Sequence, residues 1–151
     1  MTTCNPFQIA ERFIGIQEVG GQVDNPMILG MLKLDQDWPD HDEVPWCSAF
    51  VNYVCWLLRL PRSKDLRARS WLSVGVPVTL DDAQIGDIVV LKRGQGEQPG
   101  PEVIDAPGHV GFYAGRMSDW IEVLGGNQSD TVKVSRYPKS NLLSVRRLTG
   151  Q

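Results

Sequence analysis

Hydrophobic residues in the first part of the chain recur at helical spacing. An Asn-Pro pair at residues 5–6 combines a capping side chain with proline at the first helical position, and Gly15 ends this segment. A second Asn-Pro pair at residues 25–26 repeats the signal and predicts a short helix that stops near Leu34.

A third helix is predicted from Pro45 to about Leu60, where Pro61 prevents its continuation. Its apolar positions follow the i, i+3, i+4, i+7 pattern of a buried helical stripe, at Cys47, Phe50, Val51, Val54 and Leu58. A fourth helix is predicted from Lys64 to Val74, closed by Gly75.

After Gly86 the pattern changes to short apolar runs typical of strands. Five are predicted: Asp87–Lys92, His109–Gly115, Trp120–Leu124, Thr131–Tyr137 and Leu142–Leu148. Their close spacing favours antiparallel pairing, and helices followed by strands indicate an α+β fold. The sequence thus predicts one domain over residues 1–151, with N-terminal helices packed on an antiparallel sheet of about five strands.

Composition narrows the class of protein. Of the 151 residues, 42% are hydrophobic and 22% charged, as in ordinary soluble domains, and the net charge of −3 disfavours nucleic acid or an anionic membrane as partner. No window approaches about eighteen apolar residues, so no membrane span is expected. The segment Met1–Asn5 lacks a basic stretch followed by an apolar run, so we expect synthesis in the cytoplasm without a signal peptide.

Cysteine usage raises the question of a nucleophile. The chain has three cysteines, and an odd number without an export signal does not suggest a disulfide framework. Cys47 lies in the first turn of the helix that Pro45 begins, where unpaired N–H groups and the helix dipole favour a thiolate and predict a lowered pKa. The alternative is that Cys47 packs in the core, the reading that also fits mid-helix Cys55 and terminal Cys4.

A cysteine nucleophile needs a base, and the chain has two histidines. His109 begins a strand and shares a face with the small Gly111, which leaves room for the N-terminus of a helix alongside. This is the placement of a Cys–His pair for acyl transfer. His41 lies in an acidic loop and is more simply a solvated surface residue.

An imidazole base also needs an acceptor that orients it. Asn127, near the end of the strand that follows His109, is one candidate. Glu122 is a second, although an exposed strand position explains it better. Asn127 follows two glycines and could also be a turn residue. Residues 93–108, with four glycines and three prolines, form a long loop of the kind that is either functional or disordered.

Four strings, in this order, resemble the NlpC/P60 and CHAP superfamily of papain-like cell-wall hydrolases, and the CHAP-like branch of phage endolysins and small bacterial lytic proteins in particular. They are Pro45-Trp-Cys-Ser-Ala-Phe-Val51, Ile85-Gly-Asp-Ile-Val-Val90, Gly108-His-Val-Gly-Phe-Tyr113 and Gly125-Gly-Asn-Gln128. The resemblance runs from about residue 6 to 148 and implies a papain-like NlpC/P60 fold.

The resemblance also implies roles for individual residues. Cys47 would be the nucleophile, His109 the general base and then acid, and Asn127 the orienting residue, a position at which the family accepts His, Asn, Gln or Glu. Asp87 would fix a turn before the first strand. The substrate-binding residues expected next to the nucleophile and in the helix after it are Trp46, Ser48 and Trp71, with core packing as the alternative for the tryptophans.

Some CHAP enzymes bind calcium through an acidic run upstream of the cysteine. This chain has acidic residues there, at Asp35, Asp37, Asp40 and Asp42, together with His41. The spacing does not match an EF-hand, which needs glycine at its sixth position. We therefore expect a solvated loop, with neither a metal nor another cofactor.

The resemblance implies a peptidoglycan hydrolase that cuts stem-peptide amide bonds through a thioester, and we expect it to be a monomer. It would reach the wall after lysis, through a holin or by a secretion system, and an immunity protein would be its partner if it were a secreted effector. The alternatives are an inactive wall-binding or adaptor module on the same fold, and a cysteine acyltransferase or protease with other substrates. Which bond is cut, lactyl–L-Ala or a D,L or cross-bridge bond, is left open by the sequence.

Overall fold

A computed structural model describes residues 4–19, 25–35 and 45–149 of the chain. Its α-helices are α1 (Pro6–Ala10), α2 (Pro26–Leu32) and α3 (Cys47–Leu57). The two Asn-Pro pairs act as expected: the side chain of Asn5 caps α1 by accepting from the N–H of Phe7, and Asn25 caps α2 in the same way. No helix in the described ranges is long and apolar enough to cross a membrane.

The predicted helix from Lys64 to Val74 is a shorter 3₁₀ helix, Ala68–Ser73. Lys64 has a positive φ of 56° and Arg67 is extended, so an α-helix cannot begin before residue 68. The Asp65 side chain accepts the Arg67 N–H at 2.8 Å and stabilises this turn instead. Further 3₁₀ turns are Glu11–Phe13, Leu80–Asp82 and Lys139–Asn141.

The second half of the chain forms one antiparallel sheet of six strands. They are β1 (Val76–Val78), β2 (Ile88–Lys92), β3 (Gly108–Met117), β4 (Trp120–Gln128), β5 (Thr131–Pro138) and β6 (Leu142–Arg147). The spatial order is β1-β6-β2-β3-β4-β5. The α+β class and the arrangement of helices on an antiparallel sheet are thus confirmed.

The expectation of about five strands missed β1. This strand is three residues long, contains Pro77 and pairs only with β6 at the edge of the sheet. Proline is tolerated at a sheet edge, but it weakens the sequence signal of a strand.

Helix α3 packs on β3 and β4 over the main hydrophobic core. Trp46, Phe50, Phe112 and Leu124 are fully buried in this core. A Cβ atom at Gly126 would lie 2.5 Å from the ring of Trp46, so the helix start and β4 approach as closely as glycine allows. This close approach brings the N-terminus of α3 to the end of β4 and the beginning of β3.

Candidate active site

Cys47 is the first residue of α3 and is 3% exposed. The backbone N–H of Val110, the residue that follows His109 in β3, faces its thiol, as do its own N–H and that of Ser48. The structure therefore brings together the cysteine at the helix start and the beginning of the histidine strand.

Burial raises the pKa of the Cys47 thiol above its usual range. The N–H groups of Val110, Ser48 and Cys47 and the positive charge of Arg93 act in the opposite direction, but burial outweighs them. The expectation of a lowered pKa was wrong, because the helix-start argument omits the cost of removing a thiolate from water. The resting thiol is protonated near neutral pH.

His109 is buried in β3, and its ring lies against the ring of Tyr137, with centroids 5.2 Å apart. Its Nε2 is 2.8 Å from Oε1 of Gln128. Burial lowers the pKa of His109 to about 4; the Gln128 hydrogen bond raises it, and the charge of Arg93 lowers it further. The imidazole is neutral at pH 7.

Gln128 is held in one orientation by hydrogen bonds at both ends of its amide. Its Nε2 donates to the carbonyl oxygens of Val123 and Lys133, so Oε1 faces His109 and also accepts from the Tyr137 hydroxyl at 3.0 Å. An acceptor at this position assigns the ring proton of His109 to Nε2. Nδ1 is then the basic nitrogen of the neutral ring.

The residue that contacts the imidazole is thus Gln128 rather than the predicted Asn127. Asn127 adopts a positive φ of 56° at an irregularity in the pairing of β4 with β5, between Gly125 and Gln128. This bulge turns the next side chain toward the ring. Glu122 lies further along β4, opposite Arg136.

Gly125 provides the room for this pair of side chains. A Cβ atom on it would lie 3.0 Å from Oε1 of Gln128 and 3.3 Å from Nε2 of His109. Each part of the Gly-Gly-Asn-Gln string therefore has a structural role. Gly125 leaves room for the His109–Gln128 pair, Gly126 leaves room for the start of α3, and Gln128 supplies the hydrogen-bond acceptor for the His109 ring.

Trp46, Ser48 and Trp71, the predicted substrate-binding residues, are fully buried. Nε1 of Trp46 donates to Glu18 at 2.6 Å, and Nε1 of Trp71 donates to Oγ of Ser48 at 3.0 Å. Oγ of Ser48 donates to the carbonyl of Asp65 at 2.6 Å. The structure does not place these side chains in a cleft wall; they fix the start of α3, and Ser48 faces the thiol only through its N–H.

Two clefts flank the site. The Cys47-side cleft, about 470 Å³, is lined by Cys47, Gly108 and apolar residues such as Leu66 and Pro107. The His109-side cleft, about 300 Å³, is lined by His109, Gln128 and Asn127 among others. Arg93 lines both clefts, and its positive charge acts on both Cys47 and His109.

The loop predicted over residues 93–108 forms a wall of the Cys47-side cleft and is held by a buried arginine that sequence analysis missed. Arg69 is 0% exposed and donates to four carbonyl oxygens of this loop, those of Pro99, Gly100, Val103 and Pro107. The sequence does not single it out, because the same segment also contains Lys64, Asp65 and Arg67.

Asp87 stabilises the turn before β2. Its Oδ2 accepts the Gln84 N–H at 2.8 Å and pairs with Arg147.

Of the acidic run upstream of Cys47, only Asp35 lies within the described residues, where it pairs with Arg62 at 2.6 Å. The rest of the run and His41 lie outside the described residues. Among described residues, no group of three His, Cys, Asp or Glu side chains could hold a metal ion.

Comparison with solved structures identifies the fold. NlpC1 from Trichomonas vaginalis superimposes with a TM-score of 0.60 at 16% identity, covering 99% of this chain and 46% of its own. The peptidoglycan hydrolase RipB from Mycobacterium tuberculosis gives a TM-score of 0.56 at 19% identity, covering 95% of this chain and 62% of its own. Neither a known family profile nor a curated protein matches the sequence. The chain has the NlpC/P60 fold that the four strings implied.

Proposed function

We propose that the protein is a cysteine-dependent hydrolase that cuts amide bonds in the stem peptide of peptidoglycan. Cys47 is the nucleophile, His109 the general base and acid, and Gln128 the residue that orients the ring. The observation that carries the proposal is the buried His109 ring, fixed by the Gln128 amide through a 2.8 Å hydrogen bond, at the start of the strand whose Val110 N–H faces the Cys47 thiol. An inactive wall-binding module has no need of this arrangement.

The first step begins from a protonated thiol and a neutral ring. As Sγ of Cys47 attacks the scissile carbonyl carbon, Nδ1 of His109 takes the thiol proton and a C–S bond forms. The carbonyl oxygen becomes an oxyanion, which the backbone N–H groups at the start of α3 are placed to stabilise. The hydrogen bond to Gln128 becomes stronger as the ring becomes charged.

The second step releases the amine and regenerates the enzyme. The C–N bond breaks as His109 returns its proton to the departing nitrogen, which leaves a thioester on Cys47. Water then attacks the thioester, and its proton passes to His109 and on to the leaving thiolate. The products are one free amine and one free carboxylic acid, with the thiol restored.

Peptidoglycan is proposed as substrate because RipB, which shares this fold, is a peptidoglycan hydrolase. The chain spans 46% and 62% of the two matched structures, so their likeness supports the fold of one domain. On this proposal the protein acts at the cell wall.

The test is digestion of purified peptidoglycan followed by mass spectrometry of the soluble fragments. We expect fragments that differ from intact muropeptides by hydrolysis of one peptide bond, and none with the His109→Ala protein. Cleavage between sugars, or intact muropeptides after prolonged incubation with the wild-type protein, would contradict the proposal.

A further inference from the structure

We infer that Tyr137 is a positioning residue, whose aromatic ring holds the imidazole of His109 in the plane in which its free nitrogen acts as the base. The inference rests on the proposed function and adds a side chain of β5 to the catalytic arrangement of Cys47, His109 and Gln128. Tyr137 acts through His109 and Gln128, without itself taking part in proton transfer.

The hydrogen bond from His109 to Gln128 fixes only one corner of the imidazole. It joins Nε2 to Oε1 at 2.8 Å, whereas Nδ1, the basic nitrogen, lies on the other side of the ring. Such a bond tolerates a departure of about 30° from linearity with little loss. An imidazole held only at Nε2 could therefore tilt about its side-chain bond and change the direction of Nδ1. A fixed direction needs a second contact with the ring.

The ring of Tyr137 supplies this second contact. Its plane lies 30° from that of the imidazole, and the two ring centroids are 5.2 Å apart, so the rings are stacked with an offset. Tilting of the imidazole would press it into the Tyr137 ring or open a gap between the two. Because aromatic pairs stabilise each other beyond the area that they bury, the stacked orientation of His109 is favoured.

Tyr137 is itself held at both ends of its side chain. Its hydroxyl donates to Oε1 of Gln128 at 3.0 Å. Burial is the main cause that raises the pKa of Tyr137 to about 12, so the hydroxyl remains protonated and a donor. Its ring packs against a cluster of buried apolar side chains, Val89, Leu91, Tyr113, Ile121 and Val123. The face that Tyr137 presents to His109 is therefore supported from behind.

The strand register places Tyr137 beside the histidine. In β5, Val134 and Arg136 are exposed, whereas Tyr137 is half-buried and lies opposite Ile121 of β4. Tyr137 also lines the His109-side cleft together with His109 and Gln128. Core packing explains an aromatic ring at this position. The contacts of its ring and its hydroxyl, however, both go to the base and its acceptor, which ties Tyr137 to the geometry of the base.

The spectroscopic test follows the Nε2–H proton of His109 by NMR. Tyr137→Leu and Tyr137→Met keep an apolar side chain but remove the flat face, and each should speed exchange of this proton with water roughly fivefold or more. Tyr137→Phe retains the ring and should restore most of the protection. Tyr113→Leu is the matched control, because it removes a tyrosine from the same apolar cluster, four residues from His109 in β3. It should leave the exchange close to the wild-type rate.

Steady-state kinetics on a muropeptide substrate separates positioning from substrate binding. Tyr137→Leu and Tyr137→Met should lower kcat roughly fivefold or more with KM close to that of the wild type, and Tyr137→Phe should recover most of kcat. A raised KM with unchanged kcat would show that Tyr137 binds substrate instead, and would overturn the inference.

The NMR results distinguish this inference from the proposed function. Equal Nε2–H exchange in the wild type and the aliphatic variants would overturn the role of Tyr137. Exchange in the wild type at the rate of a free imidazole would overturn it without any variant. Protection of the Nε2–H proton that depends on the Tyr137 ring, in a wild-type protein that does not hydrolyse peptidoglycan, would overturn the proposed function alone.

Discussion

Gln128 fixes the chemistry of the site at the scale of single residues. Its amide donates to two carbonyl oxygens and accepts from the His109 ring and the Tyr137 hydroxyl. Both ends of this buried amide, which is only 3% exposed, therefore have hydrogen-bond partners within the protein. Because rotation of the amide would break four hydrogen bonds, the acceptor stays directed at the ring. Nδ1 of His109 is thereby kept as a base.

Gln128→Leu should lower kcat by roughly tenfold or more, because it leaves the Nε2–H of His109 and the Tyr137 hydroxyl without their acceptor. Asn127→Ala is the matched variant at the neighbouring position and should stay within about threefold of wild type, since the ring does not contact it. Steady-state kinetics on a muropeptide substrate measures both. The reverse order of effects would restore Asn127 as the orienting residue.

Gln128→Glu gives a readout that a purely structural role would not change. A carboxylate beside the ring favours the protonated imidazole and should raise the pKa of His109 above its value of about 4. The acidic limb of the pH–rate profile should move to higher pH by the same amount. An unchanged limb together with reduced activity would indicate that Gln128 only supports packing.

Cys47 and His109 could be predicted from the sequence because each has a local signal, a Pro-Trp-Cys helix start and a Gly-His strand start. Gln128 could not be separated from Asn127, because a bulge in β4 decides which of two adjacent side chains faces the ring. The raised pKa of Cys47 could not be predicted from the sequence either. Its dominant cause, burial beneath β3 and β4, depends on tertiary packing rather than on helix position.

At the scale of elements, the segment from residue 93 to 107 has almost no regular structure and few apolar anchors. Arg69 substitutes for a core by binding four of its carbonyl oxygens from inside the protein. The cleft wall therefore depends on one side chain of the 3₁₀ helix Ala68–Ser73.

Arg69→Met should loosen this loop, because four carbonyl groups lose their buried donor and methionine keeps only the apolar stem of the side chain. We expect faster hydrogen exchange in residues 99–107 and a kcat/KM reduced by roughly tenfold, since the Cys47-side cleft loses its wall. Arg69→Lys should restore part of both, because an ammonium reaches fewer carbonyls than a guanidinium fork. Equal exchange in wild type and both variants would show that the loop does not depend on Arg69.

Most helices and strands could be predicted because their capping residues and apolar runs lie within the element itself or directly beside it in the sequence. The Asn-Pro caps placed α1 and α2, and alternating apolar residues placed β2 to β6 to within a few residues. Strand β1 and the short 3₁₀ helix depend on tertiary contacts instead. Val76–Val78 is a strand only because β6 lies beside it, and the backbone before Ala68 is held by Asn52, whose Oδ1 accepts the Lys64 N–H at 2.9 Å.

At the scale of the whole molecule, the site joins the two halves of the chain. Cys47 comes from a helix of the first half, and His109 and Gln128 come from strands of the second. The buried, neutral imidazole couples folding to pH, because the ring becomes exposed and is readily protonated when the chain unfolds.

The folded pKa of His109, about 4, lies below its ordinary value of 6.5. The unfolded chain therefore binds more protons between these values, so the free energy of unfolding contains a contribution that is full above pH 6.5 and is lost as pH falls toward 4. Its size is roughly 3 kcal/mol. Urea unfolding at pH 7 and pH 4 measures it.

His109→Gln is the control for this prediction, because it removes the titrating ring but leaves every carboxylate in place. The wild-type protein should lose roughly 3 kcal/mol more than the variant between the two pH values. Parallel stability curves would mean that His109 is not held neutral in the folded protein, and the general-base mechanism would lose its support.

The proposed mechanism depends above all on Cys47 as the nucleophile, and substitution of this residue tests it most directly. Cys47→Ala and Cys55→Ala each remove one buried thiol from α3, and only the first lies at the site. Release of peptide fragments from purified peptidoglycan is the measurement, with circular dichroism showing that both variants are folded. We predict that the Cys47→Ala protein releases no fragments while the Cys55→Ala protein retains hydrolysis; fragment release by folded Cys47→Ala protein at the wild-type rate would contradict the account.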